Sequence, residues 1–148
     1  MSSAQHLPFA FTIEVRDTCL CLHLQRAARA VARRFDAALR PLNLTNGQFS
    51  LLMSLNREDP PSIGSVSMLL ATDRTTLTAN LKPLERRGLV KVTIDDADKR
   101  TRRLKLTPAG QALLVAALPI WKQTHAIVEN LLPRANSEEL RVDLRALS

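Results

Sequence analysis

The 148-residue chain has no tyrosine, four glycines, two cysteines, four phenylalanines and one tryptophan. Each scarcity excludes something. So few glycines argue against the glycine-rich loops with which many enzymes cradle phosphates. The missing tyrosine removes a frequent catalytic and base-stacking side chain. Cys19 and Cys21 are too few and too close for the disulfide framework of a small secreted protein, and fit a reducing cytoplasm. No apolar stretch approaches the ~20 residues that span a bilayer. Residues 1–16 lack a basic segment followed by an apolar run, so no signal peptide is expected. A cytoplasmic protein without a membrane partner is the expectation. Catalytic patterns are missing as well: there is no GxSxG, no P-loop, no His-Cys-Asp cluster and no carboxylate pair in a register suited to acid–base work. Neither an enzyme nor a cofactor is expected.

What is present is positive charge. Lys and Arg number 21 against 14 Asp and Glu, a net +7. The excess is concentrated. Residues 82–105 carry Lys82, Arg86, Arg87, Lys91, Lys99, Arg100, Arg102, Arg103 and Lys105 against Glu85, Asp95, Asp96 and Asp98, which is most of the net charge. A milder excess lies in residues 16–40, through Arg16, Arg26, Arg29, Arg33, Arg34 and Arg40. A charge run can be a solvated helix face and nothing more. Here the local pattern points to a polyanion.

Residues 1–12 show no period and read as a loose arm. From Asp17 to Leu39 the apolar positions Leu20, Leu24, Ala27, Val31, Phe35 and Ala38 recur at helical spacing, and Pro41 ends that helix. Thr45-Asn46-Gly47-Gln48 reads as a capping box for a second helix with Phe49, Leu52, Met53 and Leu55 inside. Asp59-Pro60-Pro61 breaks it. Ser62 caps a short third helix, and after a turn at Ala71-Thr72 a fourth runs from Asp73 to Arg87, with Leu77, Leu81 and Leu84 on one face and Gly88 as its stop. The period then changes to two: Val90, Val92 and Ile94 predict a strand, Asp95–Arg100 a turn, and Arg103–Leu106 a return strand. Thr107-Pro108 starts a long helix to Leu132, with a kink expected at Pro119, and Ser137-Glu138-Glu139 starts a last one.

Short helices followed by a basic hairpin form the plan of a winged helix-turn-helix. The fold expected is mostly α with a small β-hairpin wing, and helical dimerisation arms around it. The fourth helix fits a DNA major groove and presents Arg74, Thr75, Thr76, Thr78, Ala79 and Lys82. The wing presents Lys99, Arg100 and Arg102 to a neighbouring groove.

The chain resembles the MarR family of bacterial transcriptional regulators. The resemblance is carried by Thr72-Asp73-Arg74-Thr75-Thr76-Leu77-Thr78, by Leu84-Glu85-Arg86-Arg87-Gly88-Leu89-Val90, by the wing Asp95-Asp96-Ala97-Asp98-Lys99-Arg100, and by Leu106-Thr107-Pro108-Ala109-Gly110. It implies that Asp98 braces Arg100 at the wing tip, that Arg100 enters the minor groove, and that the first helix and the last two build an obligate homodimer. It divides the chain into an arm and dimerisation helix (1–44), the DNA-binding unit (45–107) and C-terminal dimerisation helices (108–148). The partners implied are double-stranded DNA, a second copy, and a small aromatic or phenolic effector that releases a repressor from a palindromic operator. Two positions depart from the pattern. Pro83 lies inside the recognition helix and should kink it, and Ala79 is shorter than the basic side chain that would suit a base contact.

Cys19 and Cys21 leave alternatives open. Cys21 and Arg29 match the spacing of the sensor cysteine and a following arginine in the organic hydroperoxide branch of the family, but the tyrosines that accompany that thiolate are absent. Either cysteine can equally be a small hydrophobic filler. On one continuous helix, Cys19 and Cys21 point to nearly opposite sides, about 100° being turned per residue. Cys19 and His23 would share a face, but two ligands are not a metal site and none is expected. A non-specific architectural DNA-binding protein remains the further alternative.

Overall fold

In the computed structural model, residues 6–134 and 136–148 are described. The order is α1 (Phe9–Thr18), α2 (Leu20–Leu39), a 3-10 turn (Arg40–Leu42), α3 (Asn46–Ser54), α4 (Ile63–Leu69), α5 (Arg74–Arg86), β1 (Val90–Ile94), β2 (Arg102–Leu106), α6 (Pro108–Asn130) and α7 (Ser137–Ala146). The local signals read from the sequence act as expected at most joints. Thr45 and Gln48 form the reciprocal capping box of α3, each bond 3.1 Å. Ser62 caps α4 by accepting from the Ser65 amide. Gly88 stops α5 at φ +70°, a left-handed conformation that suits glycine.

The first segment differs from expectation. Residues 1–5 lie outside the described residues, but residues 9–18 form a helix rather than a loose arm, and Asp17 and Thr18 end it instead of starting α2. Phe9, Phe11, Ile13 and Val15 alternate at period two, so no helical stripe was visible. No residue of α1 is buried, and Phe9 is 71% exposed. The chain turns at Cys19, whose extended backbone (ψ 109°) caps α2. Cys19 therefore stands outside the helix, and the opposite-faces argument for the two cysteines does not apply.

The core lies where α2, α3 and α6 meet the winged unit. Phe35 and Leu39 of α2, Phe49, Leu51 and Leu52 of α3, Leu77, Leu81 and Leu84 of α5, Leu104 of β2, and Leu114 and Ala117 of α6 are all buried. Asp36 ties α2 to the start of α3 by accepting from the Asn46 amide at 2.7 Å. Both α5 and α6 continue as single helices through Pro83 and Pro119.

The hairpin is antiparallel with Val90 opposite Leu106 and Ile94 opposite Arg102. Pro61 and Ser62 add a short third edge: the Leu104 amide donates to the Pro61 carbonyl, and Ser62 bridges to Arg103. The wing is thereby fastened to the start of α4. Thr107 closes the unit. Its hydroxyl donates to the Gly88 carbonyl at 2.6 Å and accepts from the Gly110 amide at 3.1 Å, while its own amide donates to the Leu89 carbonyl. The end of α5, the start of β1 and the start of α6 converge on this residue.

Gly110 makes the convergence possible. A β-carbon there would overlap the Leu89 carbonyl oxygen and come within 3.1 Å of Leu106 Cδ2. Gly110→Ala should therefore destabilise the fold by about 1–3 kcal/mol, outweighing the helix propensity it gains. Gly47→Ala, where the nearest atom is 4.0 Å away, should be neutral or stabilising. Urea unfolding of the two variants checks the contrast; equal midpoints would refute the packing argument.

Candidate nucleic-acid interface

The outer face of α5 is built by its inner one. Burial of Leu77, Leu81 and Leu84 leaves Arg74, Thr75, Thr76, Thr78, Ala79 and Lys82 exposed on the same helix. The six share a surface but not a role. Asp73 caps α5: its carboxylate accepts from the Thr76 amide (2.7 Å) and the Thr76 hydroxyl (2.8 Å), and these two bonds, the amide first, hold the Asp73 carboxyl below its ordinary value. The Thr76 hydroxyl is thus committed to the cap. Thr78 donates to the Arg74 carbonyl at 2.8 Å, which leaves its oxygen lone pairs and methyl facing out. The Thr75 hydroxyl has no side-chain hydrogen bond among the described residues.

Two of the three wing acids, Asp95 and Asp98, shape the wing itself, while Asp96 is exposed. Asp95 accepts from Arg103 (Nη2 at 2.7 Å, Nε at 3.1 Å) and from the Ala97 amide at 3.0 Å. Its amide donates to the Thr101 carbonyl, closing the turn. Asp98 accepts from the Arg100 amide at 3.0 Å and the Thr101 hydroxyl at 3.1 Å. The brace on Arg100 is therefore to its backbone, while its guanidinium makes no ion pair among the described residues. Lys99, Arg100 and Arg102 are exposed in the same way.

Sequence reasoning passed over several participants. Asp95 and Arg103 stand eight residues apart, and only the hairpin register brings them together. Ser62 and Gly64, at the start of α4, line a cleft of about 370 Å³ with Arg74, Thr78, Arg100 and Arg102. No lining residue of that cleft is acidic. The milder basic excess also has a place: His23, Arg26, Arg29 and Arg33 border an open groove on α2.

Cys21 is exposed and Cys19 half-buried. Gln25 Nε2 donates to Cys21 Sγ at 3.4 Å, and Arg29 donates to Gln25 Oε1 at 3.3 Å, so Arg29 reaches the thiol through an intermediary. His23 Nδ1 sits 2.8 Å from the Cys19 carbonyl oxygen.

A second cleft, about 390 Å³, lies between the winged unit and α6. Phe49, Met53, Leu69, Leu70, Leu118 and Trp121 border it. Trp121 stacks on Phe49 at 6.3 Å and on His125 at 4.7 Å, so the tryptophan serves the intramolecular packing. Apolar side chains elsewhere on the arms stay exposed: Phe11 and Val15 on α1, Val115 and Ile127 on α6, Val142 and Leu147 at α7. Arg141 ties α7 to α6 by pairing with Glu129 at 3.2 Å, and it pairs within α7 with Glu138 at 3.0 Å. Among the described residues no helix is long and apolar enough to cross a membrane.

Comparison with known proteins agrees with this geometry. A sequence model of the MarR family matches residues 44–101. The transcriptional regulator HosA of Escherichia coli O157:H7 is 35% identical over 99 residues, 66% of this chain and 70% of HosA. The M. tuberculosis transcriptional regulator MosR, solved in complex with DNA, superposes with a TM-score of 0.80 at 35% identity, over 88% of this chain and 93% of MosR. BpsR of Bordetella bronchiseptica, studied for regulation of its DNA binding by 6-hydroxynicotinic acid, superposes with a TM-score of 0.77 at 27% identity, over 86% of this chain and 91% of BpsR.

The wing brace has a pH signature. Arg103 and then the Ala97 amide hold the Asp95 carboxyl below its ordinary 3.8. A lowered folded value means the stabilisation is complete above 3.8 and is lost as pH falls below it toward the folded value. The protection factors of the wing amides, intrinsic exchange rates divided by the observed ones at each pH, should fall across that acid range in the wild type. In Asp95→Asn they should be low already at neutral pH and flat through the same range; a matching acid transition in Asp95→Asn would count against the brace.

Proposed function

The chain belongs to the MarR family of transcriptional regulators, and on that premise we propose that it is a dimeric repressor that binds a pseudo-palindromic DNA operator and leaves it when an aromatic small molecule binds. The observation that carries the DNA reading is the division of labour among charges. Asp73, Asp95 and Asp98 are consumed by caps and turns, while Arg74, Lys82, Lys99, Arg100 and Arg102 stay exposed. Helix α5 enters the major groove, with Thr75, Thr78, Ala79 and Lys82 toward the bases; Thr76 acts through the cap. Arg100 at the wing tip enters the adjacent minor groove, where negative potential favours arginine. A regulator acting in this way works in the cytoplasm, beside the DNA it controls.

The exposed apolar residues of α1, α6 and α7 support the homodimer, because a monomer would leave them to water. We read residues 1–44 and 108–148 as the dimerisation parts and 45–107 as the DNA-binding unit. A two-fold dimer calls for half-sites about one helical turn apart. The effector belongs in the cleft at Phe49, Met53 and Trp121, whose apolar walls and two aromatic rings suit a flat ring. The second reading, a thiol-responsive regulator, is favoured by the exposure of Cys21 and its link through Gln25 to Arg29.

The test starts with duplexes selected from random sequence by the wild-type protein. A footprint with two symmetric half-sites is expected; salt-sensitive binding with no protected sequence would sink the regulator reading and favour an architectural protein. Arg100→Ala should weaken binding roughly tenfold. Thr75→Ala should cost about 1–3 kcal/mol at one base position and little elsewhere. For the thiol reading, a hydroperoxide should release the wild type and leave Cys21→Ser bound; release of both excludes Cys21.

A further inference from the structure

We propose that Arg74, resting on the bare α-carbon of Gly64, is a clamp for one DNA backbone phosphate in the cleft between α4, α5 and the wing. The proposal rests on the DNA-binding reading above and gives this arginine a role separate from base recognition.

The geometry begins at Gly64. A β-carbon added there would lie 2.7 Å from Arg74 Nη2, 3.4 Å from Cζ and 3.8 Å from Nε. All three atoms belong to the guanidinium, so the group lies against the glycine where any side chain would displace it. The Gly64 carbonyl is engaged by the Ser67 hydroxyl at 3.0 Å, which fixes this turn of α4. At the other end of the side chain, Arg74 is the first residue of α5 after its Asp73 cap, and its carbonyl accepts from Thr78. Both ends of Arg74 are therefore located.

The cleft that Arg74 borders explains what it is located for. Arg100 and Arg102 face the same cleft, with Ser62 and Thr78 contributing hydroxyls and no lining residue acidic. Three guanidinium groups around one space repel each other until an anion enters, and the guanidinium fork matches phosphate oxygens in pairs. The position selects the anion. With α5 in the major groove and the wing in the adjacent minor groove, the sugar-phosphate strand between those grooves must cross the space between the two elements. That space is this cleft. Thr78 and Arg100 border the cleft from the α5 and wing faces that read the grooves, whereas the Gly64 seat holds the Arg74 guanidinium on the α4 side, so Arg74 fixes register and carries no sequence information of its own.

The experiment measures affinity against salt for wild type, Arg74→Ala, Gly64→Ala and the double variant, on the selected duplex and on a scrambled one. Arg74→Ala should lose roughly tenfold on both duplexes and lower the magnitude of the log K against log salt slope by about 0.9, the value for one phosphate. Gly64→Ala should lose in the same way in the wild-type background and nothing further in the Arg74→Ala background. Circular dichroism confirms that Gly64→Ala folds, alanine being the better helix former; if it does not, the slope for Arg74→Ala decides alone. A loss confined to the selected duplex, an unchanged slope, or a full Gly64→Ala penalty without Arg74 overturns the proposal. Inorganic phosphate titrated without DNA, followed at the Arg74 Nε–H resonance, should not saturate in the low millimolar range; if it does, the seat belongs to a free anion and the DNA clamp is wrong. Failure of the wild type to select any duplex would instead refute the DNA-binding reading itself.

Discussion

The structure depends on the knot at Thr107. One hydroxyl donates to the last carbonyl of the recognition-helix stop and accepts from the first turn of α6. Its amide holds the Leu89 carbonyl at the root of the wing. Because position 110 is glycine, the first turn of α6 lies directly against the Leu89 carbonyl at that root. The angle between α5, the hairpin and α6 is therefore set by one short side chain, held by a bond at each face, together with the backbone groups it meets. A regulator that must present two reading heads at a fixed spacing needs such a joint, since slack there would blur the half-site separation.

Charge is organised on the same principle. Acids near the interface are used to shape backbone: Asp73 caps α5, Asp98 folds the wing tip and Asp95 holds Arg103 across the hairpin. This leaves the neighbouring cations without internal partners, at little energetic cost because exposed charges remain hydrated. The net charge of +7 is thus a surface prepared for counterion release rather than a general basicity. Two members of the basic run serve the fold instead: Arg103 through Asp95, and Arg87 by donating to the Asn43 and Leu42 carbonyls.

Local signals were legible in the sequence, and contacts between distant segments were not. Thr45 with Gln48, Ser62, Asp73, Gly88 and Thr107-Pro108 each announced a helix boundary through chemistry confined to a few residues, and each boundary stands within a residue or two. The hairpin was visible for the same reason, since alternation is local. Helix α1 was not, because Phe9, Phe11, Ile13 and Val15 alternate as a strand would; its apolar residues find no core in one chain, so helical periodicity had nothing to record. Within the site, the sequence put Thr76 at the flank of the DNA-facing surface, and the bond from its hydroxyl to Asp73 was not visible there. Gly64 carried no signal, because its importance is the absence of a side chain opposite a residue ten positions away.

The continuity of α6 joins the two functions that the family combines. The helix runs from Pro108, at the knot, through Leu118 and Trp121, at the apolar cleft, to Asn130, where Glu129 meets Arg141 of α7. On the effector reading, a ring seated beside Phe49 and Trp121 would press on both walls of that cleft. One wall is α6 itself, and the other is α3 with the end of α4, which carries the winged unit. On that reading, displacing either wall would turn the reading head relative to the arm, since packed cores shift as rigid pieces rather than deform. A shift at the cleft would, on the proposed effector reading, be passed along α6 to the reading head and so to the half-site spacing at the DNA.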